Sequence, residues 1–364
     1  MSARVLVTSA GSGASGNLMR SLRAGYPALG IVGCHDDPFV LKNSLADRNY
    51  LVPPLAHRGG LRALRRVADA ERIDLVVPTS DGDVAALSRA RRALGGRLFL
   101  PRPATVDRCG DKYALARWLR ARGVPAPRTY RVRSLSDVER VFARLGDPPR
   151  AWCRIRTGAG SHGAAPVAGP EQARSWIAYW RALRGVPVSA FTLSEYLPGR
   201  DLGCQSIWKS GRLVLVKTYE RLSYLGRGSQ ASEVSAIGAL TKTVCEPGVA
   251  ETAIRAVRAV DGAASGVFAV DLKEDARGVP RVTEINAGRF TSGTNLLDLT
   301  GKHNMAAVYL RLARGEPVHL REEYEGTEHH YMLRDVDAVP RLFHADEFLD
   351  GVKDARGEGR AARG

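Results

Sequence analysis

The chain has 364 residues, 44% of them apolar and 25% charged, with a formal net charge of +16. Those proportions belong to a soluble globular protein of two or three domains and exclude a disordered or fibrous chain. The positive charge raises nucleic-acid binding. The arginines, however, are spread along the chain without a dense basic block interleaved with aromatics, which favours anionic small substrates such as nucleotides, or an acidic carrier protein.

No apolar run approaches the roughly 20 residues that span a bilayer, and the N-terminus lacks the charged and apolar regions of a secretory signal. The five cysteines (Cys34, Cys109, Cys153, Cys204, Cys245) are far apart and form no CxxC. Their odd number reads as reduced thiols, with neither zinc nor disulfides implied and a cytoplasmic location expected.

In chain order, residues 3–10 (ARVLVTSA) form an apolar strand, followed by GSGASG and a helical segment. Residues 30–37 read as a second strand, 61–73 as an amphipathic helix, 74–81 as a strand, 84–94 as a helix and 97–101 (RLFLP) as a last strand. This βαβ order predicts a parallel, doubly wound sheet. Residues 111–123 read as a helix ending in glycine. Residues 150–155 read as a strand and the Gly-rich 157–163 as a loop, with a return strand expected after it. A helix is expected over 171–183, a strand over 191–196, and a hairpin from 205–209 and 212–219 across Ser210-Gly211. Two further helices are expected at 248–261 and 304–314. The tail from Asp354 is low in complexity and reads as disordered.

Two glycine motifs compete. Gly11-x-Gly13-x-x-Gly16 follows a strand and opens a helix, with Asp36 and Asp37 about twenty residues on. Glycines there let a diphosphate approach backbone N–H groups at a helix N-terminus, so the motif alone implies an NAD(P)-dependent oxidoreductase. The second loop, Gly158-x-Gly160-Ser161-x-Gly163, follows a strand carrying Arg154 and Arg156. Its N–H groups and Ser161 could close over phosphates, although it lacks the GK[ST] ending of a P-loop.

The most informative stretch is VPRVTEINAGRF, residues 279–290. A strand's side-chain period of two puts Glu284 and Asn286 on one face, amid apolar Val282 and Ile285. Two hard oxygen ligands on one strand suit Mg²⁺, which shares its shell with phosphates. A turn at 276–278 would bring Asp271 of the preceding strand beside Glu284.

Lys112, Arg154, the glycine loop, the segment EYLPGRD (195–201), Asp271 and Glu284-x-Asn286, in this order, resemble the ATP-grasp superfamily. Within it the resemblance is to the carboxylate–amine ligase branch similar to the carbamoyl phosphate synthetase large subunit. It implies an N-terminal Rossmann-like domain (1–110), a central ATP-grasp lobe with the Gly-rich lid (111–192), a C-terminal lobe with the Mg²⁺ site (193–320) and an extension (321–364). Lys112 and Arg154 would contact nucleotide phosphates, Arg154 standing where the family has lysine. Gly158, Gly160, Ser161 and Gly163 would form the lid. Ser194, Glu195, Tyr196 and Leu197 match the hinge that reads adenine, and Asp201 replaces the usual ribose-binding glutamate. Asp271, Glu284 and Asn286 would hold two Mg²⁺ ions, with Mn²⁺ as an alternative.

Arg289 matches the arginine that steadies the transferred phosphoryl group, one residue beyond the E-x-N-P-R register, and Arg221 is a second candidate. Gly11, Ser12, Gly13, Ser80 and Asp81 become substrate contacts at strand ends, as does neighbouring Thr79. The implied reaction activates a carboxylate as an acyl phosphate and joins it to an amine, or to an acyl carrier protein, releasing ADP and phosphate. A homodimer is the expected assembly.

Overall fold

The computed structural model describes residues 3–336 apart from Ala159 and 227–233, together with 339 and 341–347. The low-complexity tail lies outside the described residues.

The first hundred residues form β1 (Arg4–Thr8), α1 (Gly13–Gly25), β2 (Gly30–His35), β3 (Arg48–Leu51), α2 (Arg58–Ala70), β4 (Leu75–Val77) and α3 (Asp81–Arg89). The four strands are parallel in the order β3-β2-β1-β4. Val5, Leu6 and Val7 of β1 are wholly buried, as a strand covered on both faces requires. The strand expected at 97–101 does not form. Arg97 accepts one bond, from the Val76 N–H at 2.8 Å. Beyond it, Tyr309 Oη donates to the Phe99 carbonyl at 2.6 Å, and Arg91 takes the carbonyls of Leu100 and Pro101 at 2.8 and 2.9 Å. Side chains thus occupy the acceptors a neighbouring strand would use, and Pro101 offers no donor.

Next come α4 (Pro103–Gly110) and α5 (Lys112–Arg120). Asp111 caps α5, accepting from the N–H groups of Tyr113 and Ala114 at 3.1 Å. This satisfies two of the donors a helix start leaves open. A second, antiparallel sheet contains β5 (Thr129–Arg131), β6 (Ala151–Ile155), β7 (Ala165–Val167) and β8 (Phe191–Glu195), in the order β5-β8-β6-β7. It is backed by α6 (Val138–Leu145) and α7 (Pro170–Arg184), with Phe142 and Ile177 in its core.

The largest sheet is antiparallel, ordered β13-β12-β9-β10-β11-β14-β15. Its strands are β9 (Asp201–Lys209), β10 (Arg212–Tyr224), β11 (Gly238–Val244), β12 (Gly266–Glu274), β13 (Pro280–Ala287), β14 (His330–Leu333) and β15 (Arg341–His344). Its helices are α8 (Pro247–Val260), α9 (Thr294–Thr300) and α10 (Met305–Ala313). Side chains alternate between two cores, as a pleat dictates. Cys204, Trp208, Phe268 and Val270 face α8. Ile207 and Val267 instead share a core with Tyr309 of α10, Leu18 of α1 and Val5 of β1. One continuous core therefore ties the parallel sheet to the seven-stranded one. At the β9–β10 turn Ser210 and Gly211 both have positive φ (51° and 82°), the conformation of a two-residue hairpin turn.

Candidate active site

The floor of the site is the β12–β13 hairpin. Asp271 stands directly opposite Glu284. The next pair is Leu272 with Val282, so Thr283 is an extra residue, a β-bulge. Strict alternation would put Val282 on the face of Glu284. The bulge reverses the facing, so that Val282 is buried while Glu284 stays partly open. Asp271 Oδ1 accepts from Arg221 Nη2 at 2.5 Å, and Asp271 Oδ2 from Asn286 Nδ2 at 3.3 Å. Asn286 Oδ1 in turn accepts from Arg289 Nη2 at 2.7 Å.

Two cations reach this floor from the other direction. Lys112, the first residue of α5, donates its Nζ to the Gly158 carbonyl at 2.6 Å and lies 3.3 Å from Glu284 Oε1. Arg154 of β6 is only 8% exposed. Its Nη2 donates to the carbonyl of the bulged Thr283 at 3.0 Å, while its buried Nε has no partner. Burial pushes the Arg154 pKa down, opposed by the charge of Glu284. The loop after β6 has positive φ at Gly158 (102°), Gly160 (75°), Ser161 (57°) and Gly163 (67°). That run of left-handed residues is why the segment is glycine-rich. Its far end is held by Trp176 Nε1 on the Gly163 carbonyl at 3.0 Å.

At the end of β8 the Ser194 hydroxyl donates to the Trp152 carbonyl at 3.3 Å. Glu195 is held by Arg128, whose backbone N–H donates to Oε2 at 2.8 Å, so its carboxylate fixes the strand end. Among the described residues no backbone hydrogen bond engages Tyr196 or Leu197. Asp201 lies between cations of both flanking strands, 3.4 Å from Arg221 and 3.3 Å from Lys273.

Arg289 links the floor to the parallel sheet. It pairs with both carboxylate oxygens of Asp81, Nη2 to Oδ2 at 3.3 Å. Burial opposes its charge, but Asp81, with Asp271 and Glu284 behind it, outweighs burial and raises its pKa. Arg221 is raised well above the usual range: burial opposes its charge, and Asp271 together with Tyr219, Tyr224 and Asp201 outweighs it. Ser80 caps α3, accepting from the Asp83 N–H at 3.2 Å, and the hydroxyl of Thr79 donates to the Thr8 carbonyl at 2.7 Å.

The first glycine motif joins none of these contacts. Gly11 has φ of 94°, and a Cβ there would lie 1.9 Å from the Val40 carbonyl oxygen. Ser12 is spent on capping α1, accepting from the Ser15 N–H at 3.2 Å, and Gly13 has open space around it. Close packing of residue 40 therefore accounts for the glycine at 11, without a dinucleotide. Gly11→Ala is expected to destabilise the fold by about 2–4 kcal/mol through strain and overpacking, measurable as a lowered urea midpoint.

Three residues not singled out from the sequence stand beside the candidates. Asp83 accepts from the hydroxyls of Thr8 and Ser9, each at 2.6 Å; the acidic pair Asp81-Gly-Asp83 at a helix start was its signal. Tyr219 Oη accepts from Arg221 Nη2 at 3.0 Å. Arg334 lines a small pocket with Arg221, Tyr219 and Ser292. Its Nε is buried without a partner, and burial pushes its pKa down to about 10.

Asp271, Glu284 and Asn286 form an all-oxygen donor set of two facing carboxylates and an amide. Among the described residues no three His, Cys, Asp or Glu side chains cluster as a closed metal cage. An incomplete oxygen set fits Mg²⁺, which is held by one or two carboxylates and completes its shell with phosphate and water. Of the cysteines, Cys245 is exposed and the other four are buried, all free. No helix among the described residues is long and apolar enough to cross a membrane.

No protein-family model matches the chain. Solved structures do resemble it. The L-amino acid ligase from Bacillus licheniformis superposes with a TM-score of 0.68 at 14% identity, over 91% of this chain and 78% of that one. The biotin carboxylase domain dimer of the Hydrogenobacter thermophilus 2-oxoglutarate carboxylase, in complex with MgADP, ADP and bicarbonate, gives 0.67 at 14%, over 90% and 73%. Carboxyaminoimidazole ribonucleotide synthase from Aspergillus clavatus, complexed with ATP, gives 0.67 at 16%, over 91% and 81%. Likeness at such low identity speaks for architecture: a parallel sheet and two antiparallel sheets arranged as in these ligases, which is to say that the chain has the ATP-grasp fold.

Proposed function

We propose that the protein is an ATP-dependent, ADP-forming carbon–nitrogen ligase that activates a carboxylate as an acyl phosphate and joins it to an amine. The observation that carries this reading is the convergence of Lys112, Arg154 and Glu284 from α5, β6 and β13, with the carbonyl of Gly158 on the same lysine. A phosphate chain needs such a set of cations facing hard oxygen ligands, beneath a loop able to exclude water. Tyr196 and Leu197, with unengaged backbone, suit recognition of the adenine edge, and Asp201 suits the ribose. The compared synthase is complexed with ATP and the compared carboxylase domain with MgADP, which supports a nucleotide as the ligand.

In this reading residues 1–110 are a Rossmann-like domain presenting Ser80 and Asp81 to the substrate, 111–192 the lobe bearing the lid, 193–320 the lobe bearing the metal edge, and 321–364 an extension. Asp271, Glu284 and Asn286 would hold Mg²⁺, which lowers the charge on the phosphate oxygens. Arg289 and Arg221 balance charge on the transferred group. A carboxylate oxygen attacks the γ-phosphorus and ADP leaves. The amine nitrogen then attacks the acyl carbon, phosphate leaves with the electron pair of the broken C–O bond, and the ammonium proton passes to solvent. No covalent enzyme nucleophile is needed. Asp81 already places a carboxylate on Arg289, so the guanidinium is sized and charged to receive the acyl phosphate once Asp81 gives way. The positive charge suits anionic substrates or an acidic carrier protein, and a homodimer is the assembly we expect.

The test is ADP release across pairs of candidate acids and amines, with the product followed by mass. Release that needs both partners and yields the amide supports the ligase. Release indifferent to the amine, or quenching of NADH fluorescence by the protein without ATP chemistry, would overturn it.

A further inference from the structure

Away from the cleft, α5, β5 and α6 surround an open cavity of about 510 Å³. Five arginines line it: Arg117 from α5, Arg131 and Arg133 at and after β5, and Arg140 and Arg144 around α6. The one acid in its wall, Asp137, is already engaged by Arg140 and by the backbone N–H of Arg133 at 3.1 Å. Among the described residues Arg117, Arg131, Arg133 and Arg144 make no ion pair. An exposed arginine without a partner ordinarily turns its head into bulk water. Here tyrosine rings hold three of the four heads over the cavity instead. Arg117 and Arg131 lie 5.6 and 6.0 Å from the Tyr113 ring, and Arg144 lies 4.1 Å from that of Tyr130.

We propose that this cavity is a second binding site, for a small, multiply charged phosphate-bearing anion. Three arguments converge. Like charges gathered in one concavity repel unless an anion lies between them. The groups are all guanidiniums, whose planar forks match phosphate oxygens two at a time. The volume is that of a small-molecule pocket. Since guanidiniums already cover both tyrosine rings, the ligand is gripped by charge and hydrogen bonds, and a stacked base is not called for. The site has a physical connection to the cleft. Tyr113 adjoins Lys112 on α5, and β5 pairs with the hinge strand, Tyr130 opposite Leu193 and Arg131 opposite Thr192. An anion here would therefore stiffen the two elements that carry Lys112 and Ser194. None of its residues belongs to the proposed ligase machinery, so the two readings can fail separately.

Inorganic tripolyphosphate is the probe, added to the full chain and followed by calorimetry and thermal melting, with orthophosphate as the single-phosphate comparison. The cleft variant Arg154→Met should keep a tripolyphosphate site, binding it more tightly than orthophosphate and less tightly as salt rises. Arg131→Gln/Arg144→Gln should weaken binding by about 100-fold, taking roughly tenfold per lost charge-assisted contact, while keeping the unliganded melting temperature. Equal affinity in the double variant, loss of binding in Arg154→Met alone, or tighter binding of an oligoglutamate peptide than of tripolyphosphate would each overturn the proposal.

Discussion

Glu284→Gln is expected to lower the rate of ADP formation by about 10²–10³-fold or more, the loss typical when one preorganised electrostatic contact to a reacting group is removed. The substitution keeps the side chain's volume and one oxygen but removes the charge. In the structure that charge faces Asp271 across the hairpin and stands 3.3 Å from Lys112. Without it the cations Lys112 and Arg154 lose their shared anion, and an oxygen set for a divalent ion is reduced to one carboxylate. The side chain is about one quarter exposed, so the melting temperature should stay close to that of wild type. Steady-state ADP release together with a melting curve checks both halves. Turnover within a factor of about three of wild type would remove Glu284 from the site.

Arg154→Met is expected to separate stability from function. Among the described residues the Arg154 guanidinium makes one hydrogen bond, to the Thr283 carbonyl, and leaves Nε buried without a partner. Burying a charge in that state is unfavourable. No ion pair among the described residues holds Arg154, so an apolar side chain of similar length removes that desolvation cost. The melting temperature should therefore hold or rise. The KM for ATP should increase by about 10–100-fold, the equivalent of one charge-assisted contact to phosphate. Arg154→Lys restores a point charge and should recover part of the affinity. A variant that melts several degrees lower and binds ATP normally would make Arg154 a structural residue only.

Much of the fold could be read from local chemistry. The βαβ alternation and the Ser210-Gly211 turn are each decided within a few residues. The pairing of Asp271 with Glu284 followed from one turn between two apolar runs. What escaped the sequence depends on long-range partners. Residues 97–101 have a strand's composition, yet Tyr309 and Arg91 take their carbonyls. Arg334 reaches Arg221 only because β14 joins the far side of the large sheet, and nothing around position 334 marks it. The glycines at 11 and 13 misdirect for the same reason: the need for glycine at 11 comes from residue 40. The bulge at Thr283 is equally silent, since Val-Thr-Glu-Ile-Asn reads as plain alternation.

That bulge makes the site tolerant of one kind of change and brittle to another. Side chains between 275 and 284 can vary as long as the count of residues is kept, because backbone pairing sets which way each one faces. Deleting a single residue ahead of Val282 would either cancel the bulge, turning Val282 toward the cleft while Glu284 stays opposite Asp271, or keep it and slide Glu284 opposite Leu272, toward the core. One added residue would upset the facing in the same way. Over evolutionary time this segment should therefore accept substitutions freely and gaps hardly at all. Loop grafts belong elsewhere, in the segments that leave the register of β12 and β13 untouched.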